Sequence, residues 1–202
     1  MSMTYKLAIL SGGAPNTFRH MQLAIEQGAI KDTEIVVIAT NHHKAPISGV
    51  ARTFGIPCRY LDGVNAIVLD KQACQLFQEH RTDIVLLMGY GKKVGTKLLA
   101  AFPNRILNAH SGPLPRFGGK GMMQERTQEA VLAAGITHSG PTIHMVDEEY
   151  DHGQILAHWP VKIRAEDTAA ALNARCNLVG RELYVRAIQD FVYRLGHPND
   201  FS

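Results

Sequence analysis

The run Ile84-Val-Leu-Leu-Met88 sets five apolar side chains in succession and stops at Gly89-Tyr90-Gly91. A strand with one wet face alternates apolar and polar residues. A run with no polar position belongs to a strand covered on both faces, as in a parallel sheet flanked by helices. The pattern repeats on either side. Upstream, Lys6–Ser11 (KLAILS) ends at Gly12-Gly13, and Glu34–Ala39 (EIVVIA) is β-branched; downstream, Arg105–Ala109 (RILNA) is a further short strand. Between them lie segments with helical spacing: Thr17–Gly28, with Phe18, Met21, Ala24 and Ile25 on one stripe, then Ile47–Phe54, Asn65–Arg81 and Gly95–Phe102. Gly55-Ile56-Pro57 turns into a short strand, Cys58–Tyr60. Strand and helix in alternation predict βαβ units and an α/β fold with a doubly wound, mostly parallel sheet.

Beyond about residue 136 the alternation stops. His138–Val146 and Gln154–Ile163 read as two longer strands joined by the polar segment Asp147–Gly153, an antiparallel pair added to the sheet. Asp167–Leu195 reads as a long closing helix with Ala171, Leu172, Cys176, Val179 and Leu183 on one stripe. No repeat or linker divides the chain, so residues 1–202 are expected to form one domain.

Apolar residues make up 46% of the chain, enough for a sizeable core, and the formal charge is +3. Apart from Lys92-Lys93 the basic residues are scattered, which argues against a nucleic-acid partner. The three cysteines, Cys58, Cys74 and Cys176, form no C-x-x-C pair, so neither a disulfide framework nor a zinc-thiolate site is expected. His42 and His43 are adjacent and project differently, and His144, His152 and His158 have no partner at ligand spacing, so the site is expected to be metal-free. With no leader-like start and no apolar stretch of roughly 20 residues, the expected setting is the cytoplasm, without a membrane partner.

Ligands of open α/β sheets bind outside the carboxyl ends of the strands. That directs attention to the loops Ser11–Asn16, Gly89–Lys93 and Asn108–Gly121. Asn108 and His110 stand two apart at a strand end, so in extended chain they leave on the same face. An amide donor beside an imidazole can hold an oxyanion and move a proton. The same spacing also suits a turn residue and a hydrogen-bonded structural histidine. Asp151, just before Gly153, could orient His110, whereas Asp147, Glu148 and Glu149 read as a solvated hairpin tip. The loop Ser11-Gly-Gly-Ala-Pro-Asn16-Thr17 opens a helix, where backbone N–H groups favour anions. It lacks the G-x-G-x-x-G of dinucleotide sites.

Two segments, ILNAHSGPLPRFGGKGM and SGPTIHMVDEEYDHGQIL, together resemble the folate-dependent formyltransferase family, most closely its phosphoribosylglycinamide branch. The matching residues are Asn108, His110, Thr142, His144, Asp151 and Gly153, and the likeness runs from Lys6 to about Phe191. The resemblance implies a Rossmann-like formyltransferase fold. It implies formyl transfer from 10-formyltetrahydrofolate to an amine without metal, with Asn108, His110 and Asp151 as catalytic residues. It places folate contacts at Tyr90, Lys92, Val94, Gly140, Thr142 and His144. It places the acceptor's phosphate at the loop bearing Gly12, Gly13, Asn16 and Thr17, with 5′-phosphoribosylglycinamide of purine synthesis as acceptor. The departures fall on the acceptor side. Pro15 removes an N–H donor from the phosphate loop, and Asn177 and Gly180 occupy the positions where the family carries a basic residue and a glutamate, with Arg181 and Glu182 close by. Three other readings therefore stand beside this one: another amine acceptor, such as an amino sugar or a hydroxylated amino acid; hydrolysis of formyltetrahydrofolate; and a non-catalytic nucleotide-binding module.

Overall fold

The computed structural model describes residues 4–63 and 65–198. The first strand, β1 (Tyr5–Ser11), leads to α1 (Pro15–Glu26), whose proline sits in the first turn, where a missing N–H costs nothing. Then follow β2 (Thr33–Thr40), α2 (Pro46–Thr53), the short β3 (Cys58–Tyr60), α3 (Ala66–Glu79), β4 (Ile84–Met88), α4 (Thr96–Ala101) and β5 (Ile106–His110). All five strands pair in parallel. The order across the sheet is β3-β2-β1-β4-β5, so the winding reverses between β1 and β4.

Burial follows from that winding. Leu7, Ile9, Ile84 and Leu86 pack with Phe18, Met21, Ile47 and Ala51 from α1 and α2, while Ala8, Leu10, Val85 and Leu87 pack with Leu69, Phe77 and Leu98 from α3 and α4. Every residue of β4 is buried. This is the doubly wound, mostly parallel α/β sheet expected from the uninterrupted apolar runs.

The C-terminal strand pair is also present, in broken form. His138–Val146 divides into β6 (His138–Ser139) and β7 (Thr142–Met145), and Gln154–Ile163 into β8 (Ile155–His158) and β9 (Val161–Lys162). β7 joins β5 antiparallel and β8 closes the edge, while β6 and β9 form a separate two-stranded ladder. The break falls at Gly140-Pro141 opposite Trp159-Pro160, where two prolines cannot donate to a ladder.

Between β5 and β6 lies α5 (Glu125–Ala133), a helix absent from the sequence reading. Of its three buried residues two are polar, Thr127 and Gln128, so no apolar stripe marks it. The closing helix α6 (Ala169–Gly196) starts at Thr168, whose hydroxyl accepts from the Ala171 amide. It covers the sheet face shared with α1 through Tyr184, Val185, Ile188 and Val192.

Asp70 on α3 fixes the loop that follows β4. Its buried carboxylate accepts from the amides of Gly95, Lys97 and Leu98 at 2.9, 3.1 and 3.3 Å, capping α4 from outside. Asp70→Ala leaves those amides without an acceptor. It should lower stability by about 2 kcal/mol, read as an earlier urea midpoint; an unchanged midpoint would remove this role.

Candidate active site

A cleft of about 370 Å³ opens where the winding reverses, at the carboxyl ends of β1, β4 and β5. The strands approach closely there: a side chain on Gly12 would run into the Gly89 carbonyl. Leu87–Gly91 and Asn108–Ser111 line the cleft together with the first turn of α1, residues 119 and 121–124, Tyr150-Asp151 and one stripe of α6.

The polar cluster of this cleft is assembled by strand register. β5 and β7 pair Asn108 with His144 and His110 with Thr142. Asn108 and His110 both line the cleft, as their spacing requires. Asp151 arrives from the β7–β8 turn in the left-handed region at φ 54, a conformation that Asp tolerates better than most residues. Gly153 lets the chain return against β7, since a side chain there would meet the Met145 carbonyl.

Hydrogen bonds fix the tautomers. His110 Nε2 lies 2.8 Å from the Phe117 carbonyl, which only accepts, so Nε2 carries a proton. The other ring nitrogen, Nδ1, faces Asp151 Oδ2 at 3.5 Å. His144 Nδ1 donates to the Met145 carbonyl at 2.7 Å, leaving Nε2 to accept from Asn108 Nδ2 at 3.0 Å. The second hydrogen of that amide points at Asp151 Oδ1, held only at 3.5 Å. The Gly119 amide donates to Asp151 Oδ2 at 3.0 Å.

Burial lowers the His110 pKa below its ordinary value and prevails over the Asp151 carboxylate, which raises it. For Asp151 burial acts the other way and raises the pKa, but His144, His110 and the Gly119 amide outweigh it and leave the carboxyl below its ordinary value. At neutral pH the pair is therefore a neutral imidazole beside a carboxylate. It has one proton fewer than its geometry can hold.

Of the residues expected at the site, Asn16, Thr17, Tyr90, Asn108, His110 and Asp151 line the cleft; Gly12, Gly13, Lys92, Val94, Gly140, Thr142 and His144 do not. Lys92 is exposed, and Val94 is packed in the core beside α3 and α4. Thr142 is buried and anchors the proline loop: its hydroxyl donates to the Gly112 carbonyl at 2.8 Å and accepts from the Leu114 amide at 3.2 Å. His144 orients Asn108. Burial, with Asp70 and Tyr150 nearby, pushes the Tyr90 phenol up to about 12, so it remains a neutral donor.

In the first loop the Ser11 hydroxyl accepts from the amides of Gly13 and Ala14 at 2.9 and 3.2 Å. With Pro15 lacking an N–H, the amides left to face an anion are those of Asn16 and Thr17. Sequence reasoning missed Met122, Met123, Tyr150 and Asn173 in the lining, and noted Arg181 only as a neighbour of Gly180. Asn173, Asn177 and Arg181 recur at helical spacing, which was the available signal. Among the described residues no group of His, Cys, Asp and Glu could hold a metal ion, and no helix is long and apolar enough to cross a membrane.

This fold and cluster define a doubly wound α/β domain with its polar centre at the switch point. Residues 5–188 match the formyl transferase family, and the chain belongs to that family. It is 36% identical over 187 residues to the chloroplastic phosphoribosylglycinamide formyltransferase of Arabidopsis thaliana, covering 91% of this chain and 64% of that protein's length. The structure is similar to that of glycinamide ribonucleotide transformylase 1 from Symbiobacterium toebii (TM-score 0.86, 27% identity, 93% of this chain and 87% of the other). It is also similar to that of phosphoribosylglycinamide formyltransferase from Bacillus halodurans (TM-score 0.86, 26% identity, 98% and 100%).

Folding lowers the pKa of both His110 and Asp151, so the unfolded chain protonates first at each position. Their contributions are full above the unfolded values of 6.5 and 3.8 and are lost as pH falls through the folded ones. The His110 share of the acid slope, at most about 1.4 kcal/mol per pH unit for one proton, should vanish in His110→Asn between the ordinary histidine value and pH 5. Urea midpoints across that range test this; parallel curves for the two proteins would refute the assignment.

Proposed function

We propose that this chain transfers a formyl group from 10-formyltetrahydrofolate to the primary amine of a phosphorylated acceptor, with 5′-phosphoribosylglycinamide of de novo purine synthesis as the reading its relatives favour. Residues 1–202 are read as one catalytic domain, acting in the cytoplasm. The observation that carries the reading is the set of Asn108, His110 and Asp151 brought together in the lining of the switch-point cleft, in a chain of the formyl transferase family.

The chemistry follows from the protonation state. The amine nitrogen attacks the formyl carbon, and the carbonyl electron pair moves onto oxygen. The loosely held second hydrogen of Asn108 Nδ2 is the donor available to that oxyanion. The amine must lose a proton, and the space between His110 Nδ1 and Asp151 Oδ2 takes one, directly or through water. When the oxyanion collapses, the bond from carbon to the folate nitrogen breaks and that nitrogen receives the proton. The aromatic Tyr90 and the sulfurs of Met122 and Met123 offer the flat, apolar lining that a pterin ring requires. The amides of Asn16 and Thr17, at the start of α1, suit the acceptor's anion.

A second reading keeps the chemistry and changes the amine. Asn177 and Gly180 stand in the cleft wall, where neither supplies a charge to a ribose phosphate. A panel of amines offered with 10-formyltetrahydrofolate, with release of tetrahydrofolate as readout, separates the two, and release without any amine would mean hydrolysis. Against the preferred acceptor, His110→Ala and Asp151→Asn should each lower turnover by at least ~10² with melting still cooperative. Near-normal turnover in either variant would remove that residue from the catalytic set. A folate analogue should raise the melting temperature of the unaltered protein with concentration; no shift at saturation would exclude folate as the donor.

A further inference from the structure

Three residues stand in one row across the closing half of the sheet: His110 on β5 opposite Thr142 on β7, and Thr142 opposite His158 on β8. His158 is exposed on that edge strand and does not line the cleft. The Thr142 hydroxyl is buried, with one hydrogen and two lone pairs to place. Its hydrogen goes to the Gly112 carbonyl at 2.8 Å, and the Leu114 amide donates to it at 3.2 Å. The third neighbour is His158 Nδ1 at 3.1 Å. The hydroxyl has no second hydrogen to give, so Nδ1 carries the proton and His158 is the donor. What the hydroxyl holds is the segment that follows His110. Pro113 and Pro115 have no N–H, so the Leu114 amide is the donor available between them. The Phe117 amide donates to the Pro113 carbonyl at 3.1 Å, and the Phe117 carbonyl accepts from His110 Nε2 at 2.8 Å. One chain of contacts thus runs from His158 through Thr142 and the proline loop to the ring of His110, whose Nδ1 faces Asp151.

We propose that His158 is a positioning residue for His110: its Nδ1–H locks the Thr142 hydroxyl onto the proline loop and so sets where the Phe117 carbonyl stands. The hydroxyl meets one acceptor and two donors, and it cannot turn without leaving one of them unpaired. Without the third contact it is released to rotate, and the loop loses its fixed point. The consequence falls on His110, because the Phe117 carbonyl is what ties Nε2 and keeps Nδ1 toward Asp151. A shift of about 1 Å at a reacting group costs on the order of 10²-fold in rate. The His158 ring is seated for this contact by its neighbour: the Trp159 amide donates to the Pro141 carbonyl at 3.1 Å, next to Thr142. An asparagine at 158 keeps an N–H donor near the place of Nδ1, and an alanine keeps none. This inference rests on the formyl-transfer reading for the reaction that His110 serves, but not for the placing of its ring.

The test joins kinetics to proton NMR on the full chain. His158→Ala should lower kcat about tenfold while both KM values stay within about twofold, since His158 touches neither substrate, and His158→Asn should recover most of that loss. Ile155→Ala, which shortens an exposed side chain on the same strand, is the control and should keep the kcat of the unaltered protein. In a Thr142→Val background, His158→Ala should cost nothing further, because the two residues act through one contact. In the NMR spectrum the Nε2 proton of His110 should give a protected signal that is missing in His110→Asn. That signal should exchange faster in His158→Ala and recover in His158→Asn. Melting curves confirm that each variant folds. An unchanged kcat and an unchanged His110 signal in His158→Ala would overturn the proposal, as would an asparagine variant no better than alanine. A lower melting temperature with normal kcat would overturn it too and leave His158 a packing residue of the edge strand. If the unaltered protein formylates no amine, the formyl-transfer reading fails, and the His110 signal alone decides the positioning role.

Discussion

Asp151 brings a carboxylate into a space where only 11% of its side chain meets solvent, and the surrounding elements are arranged to satisfy that charge. The donors that reach it are the Gly119 amide, from the glycine loop between β5 and α5, and the second hydrogen of Asn108 Nδ2 from β5, while His110 of β5 and His144 of β7 border it through their ring nitrogens. None of these alone would hold the charge. Together they bring its pKa below the ordinary carboxyl value despite burial. The turn itself is made possible by Asp151 taking a left-handed conformation and by Gly153 letting the backbone return beside β7. Removing one donor would leave the rest arranged around an ion they no longer stabilise, which is why buried polar clusters behave as units.

The rest of the fold holds that cluster in register with the cleft. Tyr184 on α6 is fully buried, and its hydroxyl donates to the Leu107 carbonyl of β5 at 2.8 Å with the Leu87 carbonyl of β4 at 3.3 Å. Burial raises its pKa, so it remains a neutral donor. The stripe Asn173–Asn177–Arg181 lies just before this anchor and is thereby fixed against the strand that ends in His110. Gln128 on α5 makes a second tie. Its amide donates to the Ser111 carbonyl at 2.7 Å and its oxygen accepts from Ser139 at 2.6 Å, joining the loop after His110 to the hairpin. A substitution in a helix can therefore displace the site without touching it.

Much of this was legible in the sequence because the physics was local. Five apolar residues in Ile84–Met88 admit few solutions besides a strand covered on both faces, and the alternation with helical spacing set the doubly wound sheet. Asn108 and His110 were legible from a spacing of two at a strand end. What was hidden depended on distant partners. α5 buries the polar residues Thr127 and Gln128, and the partners of Gln128 lie in other segments, so its pattern reads as solvent-facing. The roles of Thr142 and His144 depend on the register between β5 and β7. Pro15 showed that the first loop had lost a donor, but that Ser11 occupies two more amides could be read only from the folded loop.

The charges of the cleft also bear on how an acceptor must lie in it. The lining carries the Arg181 side chain and the first turn of α1 as well as the Asp151 carboxylate. Under the proposed reading an acceptor has an anion at one end and an amine at the other. Coulomb forces in a partly desolvated cleft then favour one orientation, with the anion away from Asp151 and the amine toward it. The same carboxylate that draws a protonated amine also completes, with His110, the pair that can remove its proton. Binding and activation of the nucleophile thus rest on one charge, and the lowered pKa of His110 keeps that pair short of a proton until the amine arrives. A pair already protonated in the resting protein would hold the acceptor less well and could not take its proton.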